Sequence, residues 1–264
     1  MRASVRAAFL PYTKPLEGVI RWMYLDVAGL VTTGIGNLID SIPDAQAIPW
    51  RRADGSLASS LEVADAWRLV KSHQELAPFG GGSSAFSRLT SLRLDDAALD
   101  FVVGQRLATN ESILSSRFPM WDAFPADAQL AFHSHAWANG PKFRFPKLVA
   151  AANANPPDWA TAAHESHSDD THNPGLVPRN KAEWVLFNNA DAVQAQGLDA
   201  EPVRFPADLT GRPYPFVVPS PGFLPGTVPG LEPASLRVTG AAAGGLALVV
   251  VGLIGAAAYA AARA

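Results

Sequence analysis

The sequence predicts an α+β domain that is mainly helical and carries a small β-hairpin lobe near its N-terminus. Three observations lead there. Apolar residues recur near a 3.6-residue period in several segments between residues 59 and 137. Strand signals concentrate early, where Leu30-Val31-Thr32-Thr33 lies between glycines. Apolar residues make up 48 % of the chain and charged residues 17 %, a balance that builds a core and argues against wholesale disorder.

The elements follow in chain order. Gly29, Gly34 and Gly36 punctuate the early segment and predict a turn and a short hairpin. Ser59 with Glu62 three residues later forms a capping box, and Leu61, Ala64, Leu69 and Val70 extend a helix to about His73. Pro78 and Gly80-Gly81-Gly82 close it in a loop. Leu94 to Leu114 reads as one long helix. Pro125 suits a first helical turn with Asp127 near its positive end, and Gly140-Pro141 must stop that helix. Leu130, Ser134 and Trp137 share one of its faces.

Beyond the domain, residues 1–195, the composition changes. The stretch 196–236 is Pro-rich, with nine prolines between 201 and 234, and predicts an extended spacer. Residues 237–264 predict a transmembrane helix: Val238 to Ala262 carries no charge and as a helix would reach about 37 Å. That tail implies a membrane partner and a membrane-associated position. The N-terminal segment has no apolar run long enough for a cleavable signal.

Several function classes fall away. A net charge of −3, with no Lys/Arg stripe, removes the electrostatic case for nucleic acid. The absence of cysteine excludes disulfides, zinc–thiolate sites and thiol catalysis.

The informative stretch runs from Glu17-Gly18 through Tyr24-Leu25-Asp26 to Thr32-Thr33-Gly34-Ile35-Gly36-Asn37-Leu38. A carboxyl from one segment can face a carboxylate and a hydroxyl from a folded-back hairpin. Glycosidic cleavage needs a proton donor to the leaving oxygen and an opposing group that handles water or the cation. Burial keeps one carboxyl protonated while another stays ionised, which divides those roles. The plain alternative is a helix-end Glu17 and an Asp26 in an exposed turn.

This segment resembles the phage-type lysozymes, the muramidase endolysins of tailed bacteriophages and their bacterial relatives. That family shows a Glu-Gly start, a Tyr-x-Asp step and then Thr-x-Gly-x-Gly. The resemblance implies a lysozyme-like fold, Glu17 as general acid, Asp26 and Thr32 placing the attacking water, inversion at the anomeric carbon and no cofactor. A looser match downstream, at Ala128-Gln129-Leu130, Ala136-Trp137-Ala138, Asp158-Trp159 and Gly175 to Arg179, implies that Leu38 and Trp137 line the sugar cleft. It also implies that Arg179 approaches Glu17. Peptidoglycan glycan strands are then the substrate, cut at the β-1,4 bond between MurNAc and GlcNAc. Three departures stand out. Asn37 replaces a common histidine, Pro15 should break or shift the family's first helix, and residues 46–90 are an insertion.

Two rivals remain. His133-Ser134-His135, with His164, His167 and His172 further on, suggests a zinc-dependent cell-wall peptidase, although a helix would point His133 and His135 about 200° apart. A non-catalytic peptidoglycan-binding module would keep the fold without needing the acid.

Overall fold

The computed structural model describes residues 1–79, 84–171 and 173–216. Within them a helical body carries one small three-stranded antiparallel sheet, an α+β arrangement dominated by helix. In order the elements are α1 (Ala3–Glu17), β1 (Ile20–Leu25), β2 (Val31–Gly34), β3 (Asn37–Leu38), α2 (Ile42–Gln46), α3 (Ser60–Ser72) and α4 (Ser84–Leu89). Then follow α5 (Asp96–Arg117), α6 (Ala126–Asn139), α7 (Pro146–Ala152), α8 (Trp159–Glu165) and α9 (Val177–Gln196).

The first helix contradicts the expectation drawn from Pro15. Helix α1 includes both Pro11 and Pro15 and runs unbroken to Glu17, where Gly18 at φ 71° ends it. An interior proline costs roughly 3 kcal/mol. Each large side chain taken fully out of water returns roughly 1.5–3 kcal/mol, and Val5, Phe9 and Tyr12 are all buried on the face that α1 turns to α6. The helix therefore stands on its packing rather than on its propensity.

The sheet has the order β1-β2-β3. Tyr24 pairs with Thr32 and Leu25 with Val31, while Thr32 pairs on its other side with Leu38. A tight turn joins β1 to β2. Asp26 Oδ1 accepts from the amides of Ala28 and Leu30, each at 2.9 Å, and Gly29 sits at φ 73°. An L side chain rarely adopts that conformation, so glycine is needed there.

The capping box reads true. Ser59 caps α3 by accepting from the Glu62 amide while the Glu62 side chain accepts from the Ser59 amide. Helix α3 braces the hairpin. Lys71 Nζ donates to Gly29 O at 2.8 Å and to Asp40 Oδ1 at 2.7 Å, and Trp67 Nε1 donates to Ile39 O at 2.8 Å. Asp95 caps α5 by accepting from the Ala98 amide.

Helix α6 is the centre of the molecule. Every residue from Ala126 to Trp137 is buried, with α1, α5 and α9 packed around it. An all-round buried helix has no polar face, so periodicity showed one stripe where the fold uses the whole circumference.

The Pro-rich stretch departs from expectation at its start. Residues 201–216 lie against the helical body instead of leaving it. Buried Asp127 accepts from the amides of Arg204 and Phe205, both at 3.0 Å, and Asn189 Nδ2 donates to Ala207 O at 2.8 Å. The Phe205 ring meets Tyr12 edge-on at 5.3 Å. Prolines remove amide donors, but the amides of Arg204 and Phe205 remain and find acceptors.

The membrane expectations are corrected. Among the described residues no helix is long and apolar enough to cross a membrane. The segment 238–262, on which the transmembrane helix, the membrane partner and the membrane-associated position all rested, lies outside the described residues.

Candidate active site

Glu17 is delivered by the last turn of α1. Its side chain is 6 % exposed and forms an ion pair with Arg179 NH2. Arg179 belongs to the first turn of α9, so 162 residues separate the partners. The guanidinium is itself buried. NH1 donates to Ser134 O at 3.0 Å and to Ser134 Oγ at 2.9 Å, which locks Arg179 onto the central helix α6. Burial alone would lower its proton affinity, but the charges of Glu17 and Glu183 outweigh that and hold it above the ordinary arginine range.

Asp26 follows β1 directly. It is buried at 1 % exposure, so the alternative of an exposed turn acid does not describe it. Oδ1 is committed to the turn, whereas Oδ2 is buried without a hydrogen-bond partner among the described residues. Burial raises the carboxyl above the usual carboxylate range, and hydrogen bonds from the Leu30 and Ala28 amides partly oppose this.

Thr32 is buried on β2 across from Tyr24, and its hydroxyl donates to Leu30 O at 3.3 Å. Leu38 is half-buried on β3 beside it. Tyr24 lies on β1, between the two acids in the chain. Burial chiefly, then the charges of Asp26 and Glu17, push it above its ordinary range, while Arg106 opposes them.

Trp137 does not offer an open platform. It is 2 % exposed, its Nε1 donates to Ile35 O at 2.9 Å, Phe9 packs at 5.0 Å and the Arg106 guanidinium sits 4.0 Å from its ring centroid. Its expected place lining a sugar cleft is corrected to that of a core residue tying α6 to the hairpin.

The two histidines of the His-x-His pair face different partners. His133 Nε2 lies 2.9 Å from Glu111 Oε2, and His135 Nδ1 lies 3.2 Å from Glu183 Oε2. Among the described residues no three His, Cys, Asp or Glu side chains converge to hold a metal; His172 lies outside them. His167 stacks on Phe216 at 3.8 Å and bonds Tyr214 Oη at 2.9 Å, so it helps fasten the strap formed by residues 201–216.

Sequence reasoning missed Glu183, Ser134 and Tyr12 as parts of this site. Ser134 Oγ donates to Glu183 Oε1 at 2.8 Å and accepts from Tyr12 Oη at 3.1 Å. One signal was available: Glu183 stands four residues after Arg179, the spacing that puts both on one helix face.

No family model, curated protein or solved structure matches this chain.

Proposed function

We propose that the protein is a peptidoglycan muramidase with a lysozyme-like fold, cleaving the β-1,4 bond between MurNAc and GlcNAc. The observation that carries the reading is the ion pair of Glu17, at the end of α1, with Arg179, joined through the single strand β1 to the buried carboxyl of Asp26. In the reaction, Glu17 gives its proton to the glycosidic oxygen as the anomeric C–O bond breaks. Asp26, through Oδ2, and Thr32 orient the water that attacks the anomeric carbon, and that water's proton passes to Asp26. Leu38, beside Thr32, supplies apolar surface for the sugar ring. Arg179 fixes the Glu17 carboxyl in direction.

Mass spectrometry of digested peptidoglycan tests this. Reducing-end MurNAc is expected from the parent chain. Glu17→Gln should lower the rate by about 10²–10⁴-fold with an unchanged circular dichroism spectrum. Anhydro-MurNAc ends, free peptide ends, or near-parental turnover by Glu17→Gln would each overturn the assignment.

A further inference from the structure

The strap of residues 201–216 meets each of the three helices that build the helical side of the site. On α1, the Phe205 ring packs edge-on against Tyr12 at 5.3 Å. On α6, buried Asp127 accepts from the amides of Arg204 and Phe205. On α9, Asn189 donates to Ala207 O at 2.8 Å and accepts from the Leu209 amide at 2.9 Å, while Arg212 pairs with Asp191. Those same helices carry Glu17, Ser134 and Arg179.

One strap contact leads straight into the site. Tyr12 Oη donates to Ser134 Oγ at 3.1 Å, and Arg179 NH1 donates to the same oxygen at 2.9 Å. The hydroxyl gives its own proton to Glu183 Oε1 at 2.8 Å. A serine hydroxyl has one proton and two lone pairs, so all three are in use. It has no freedom left to turn, and a shift of the Tyr12 phenol is felt by the guanidinium bound to the same atom. Arg179 in turn holds Glu17 through NH2.

We propose that the strap positions the general acid through one contact: Phe205 seats Tyr12, and Tyr12 fixes the Ser134 hydroxyl that orients Arg179 and Glu17. Phe205 and Tyr12 are positioning residues, and the proposal rests on the reading of Glu17 as general acid.

Tyr12 needs such a seat because of where it stands on α1. Pro11 and Pro15 flank it. Each proline lacks the amide that would bond the carbonyl four residues back, so this stretch of α1 is short of two ladder bonds. External packing then decides where the phenol lies. The Phe205 amide is bonded to Asp127 at 3.0 Å, in the first turn of α6. Its ring is therefore placed by α6 and sets α1 against that helix.

A double-mutant cycle on glycan cleavage by the full chain tests this. Phe205→Ala removes the ring and should lower kcat roughly 10- to 100-fold, the scale of a small misplacement of a reacting group, with KM little changed. Phe205→Leu restores apolar bulk against Tyr12. It should recover most of the loss, and it serves where the alanine variant does not fold. Tyr12→Phe keeps the ring contact, deletes the hydroxyl and should lower kcat to a similar extent. Both act through that hydroxyl, so Phe205→Ala added to Tyr12→Phe should cost nothing further. Arg212→Ala loosens the strap at its far end, at Asp191 and Asn188, and should leave kcat at the parent level. Losses that multiply in the double variant overturn the proposal. An Arg212→Ala loss equal to that of Phe205→Ala does so too, since the strap would then be a general stabiliser.

A second readout needs no turnover. Arg179 Nε is buried without a hydrogen-bond partner among the described residues, and its N–H can be followed by 15N NMR as the resonance lost in Arg179→Lys. Exchange of that proton with solvent should quicken in Phe205→Ala and in Tyr12→Phe. Parental exchange in both overturns the proposal. If the parent chain leaves peptidoglycan uncut, the muramidase reading falls while this exchange still decides what the strap does.

Discussion

The hairpin of residues 20–38 and the helical body of α1, α6 and α9 each present an acid to the candidate site, but they hold it by different means. In the hairpin, Asp26 is fixed by amides two and four residues away, and the strands around it pair with near neighbours in sequence. In the helical body, Glu17 meets a guanidinium 162 residues distant, which rests on Ser134 a further 45 residues off. The first acid is set by a turn that forms locally. The second exists only once three separate helices have docked. Perturbing the hairpin should therefore affect chemistry more than stability, and perturbing the helical network should affect both.

The largest effect on this contrast should come from Arg179→Met. Removing the cation leaves Glu17 and Glu183 buried without compensation, and breaking a buried pair from one side costs about 3–5 kcal/mol. Urea unfolding should show that loss together with loss of turnover. A variant within 1 kcal/mol of the parent, by the scale of surface pairs, would mean that the network is far less demanding than its burial implies.

Asp26→Asn should separate the two regions more sharply. The folded state binds the Asp26 proton more tightly than the unfolded chain, because burial raises this carboxyl. Its protonated form then stabilises the fold, fully so at acid pH, and that contribution is lost as pH rises through the folded value. Asparagine imitates the protonated form, and its Oδ1 can still accept from Ala28 and Leu30. The variant should be at least as stable as the parent at neutral pH, with the gap closing on acidification. Cleavage should meanwhile fall by about 10²–10⁴-fold, because asparagine cannot take the water's proton. Clear destabilisation at neutral pH would show that the ionised carboxylate is what the turn requires.

The smallest effect should come from Lys71→Ala in α3. Losing the contacts to Gly29 O and Asp40 should cost about 1 kcal/mol and raise amide exchange in the turn at 26–30. Protection there equal to the parent's would remove the role of α3 as a brace.

The same contrast explains what could be read before the fold was known. Capping at Ser59 and Glu62, the span of α5, the stop of α6 at Gly140 and the β2 strand are local, and their signals sit within a few residues of one another. Glu17, Asp26 and Thr32 stood out for the same reason, being close in sequence. Trp137 was misread because an aromatic beside a candidate cleft and an aromatic inside the core look alike until Ile35, Phe9 and Arg106 are placed around it. The prolines of 201–216 read as spacer because nothing nearby announces that Asp127, some 77 residues earlier, accepts their remaining amides.

The sequence by itself determined the class of fold, the turn that fixes Asp26 and the absence of thiol chemistry, since these depend on composition and short-range geometry. Tertiary structure alone decided that α1 survives two prolines, that α6 is buried on every side and that Arg179, expected near Glu17 from the resemblance, is tied through Ser134 to Glu183. Those outcomes turn on burial. The cost of an interior proline or a buried charge is set by what other elements bring to the same place, and no stretch of chain carries that information alone.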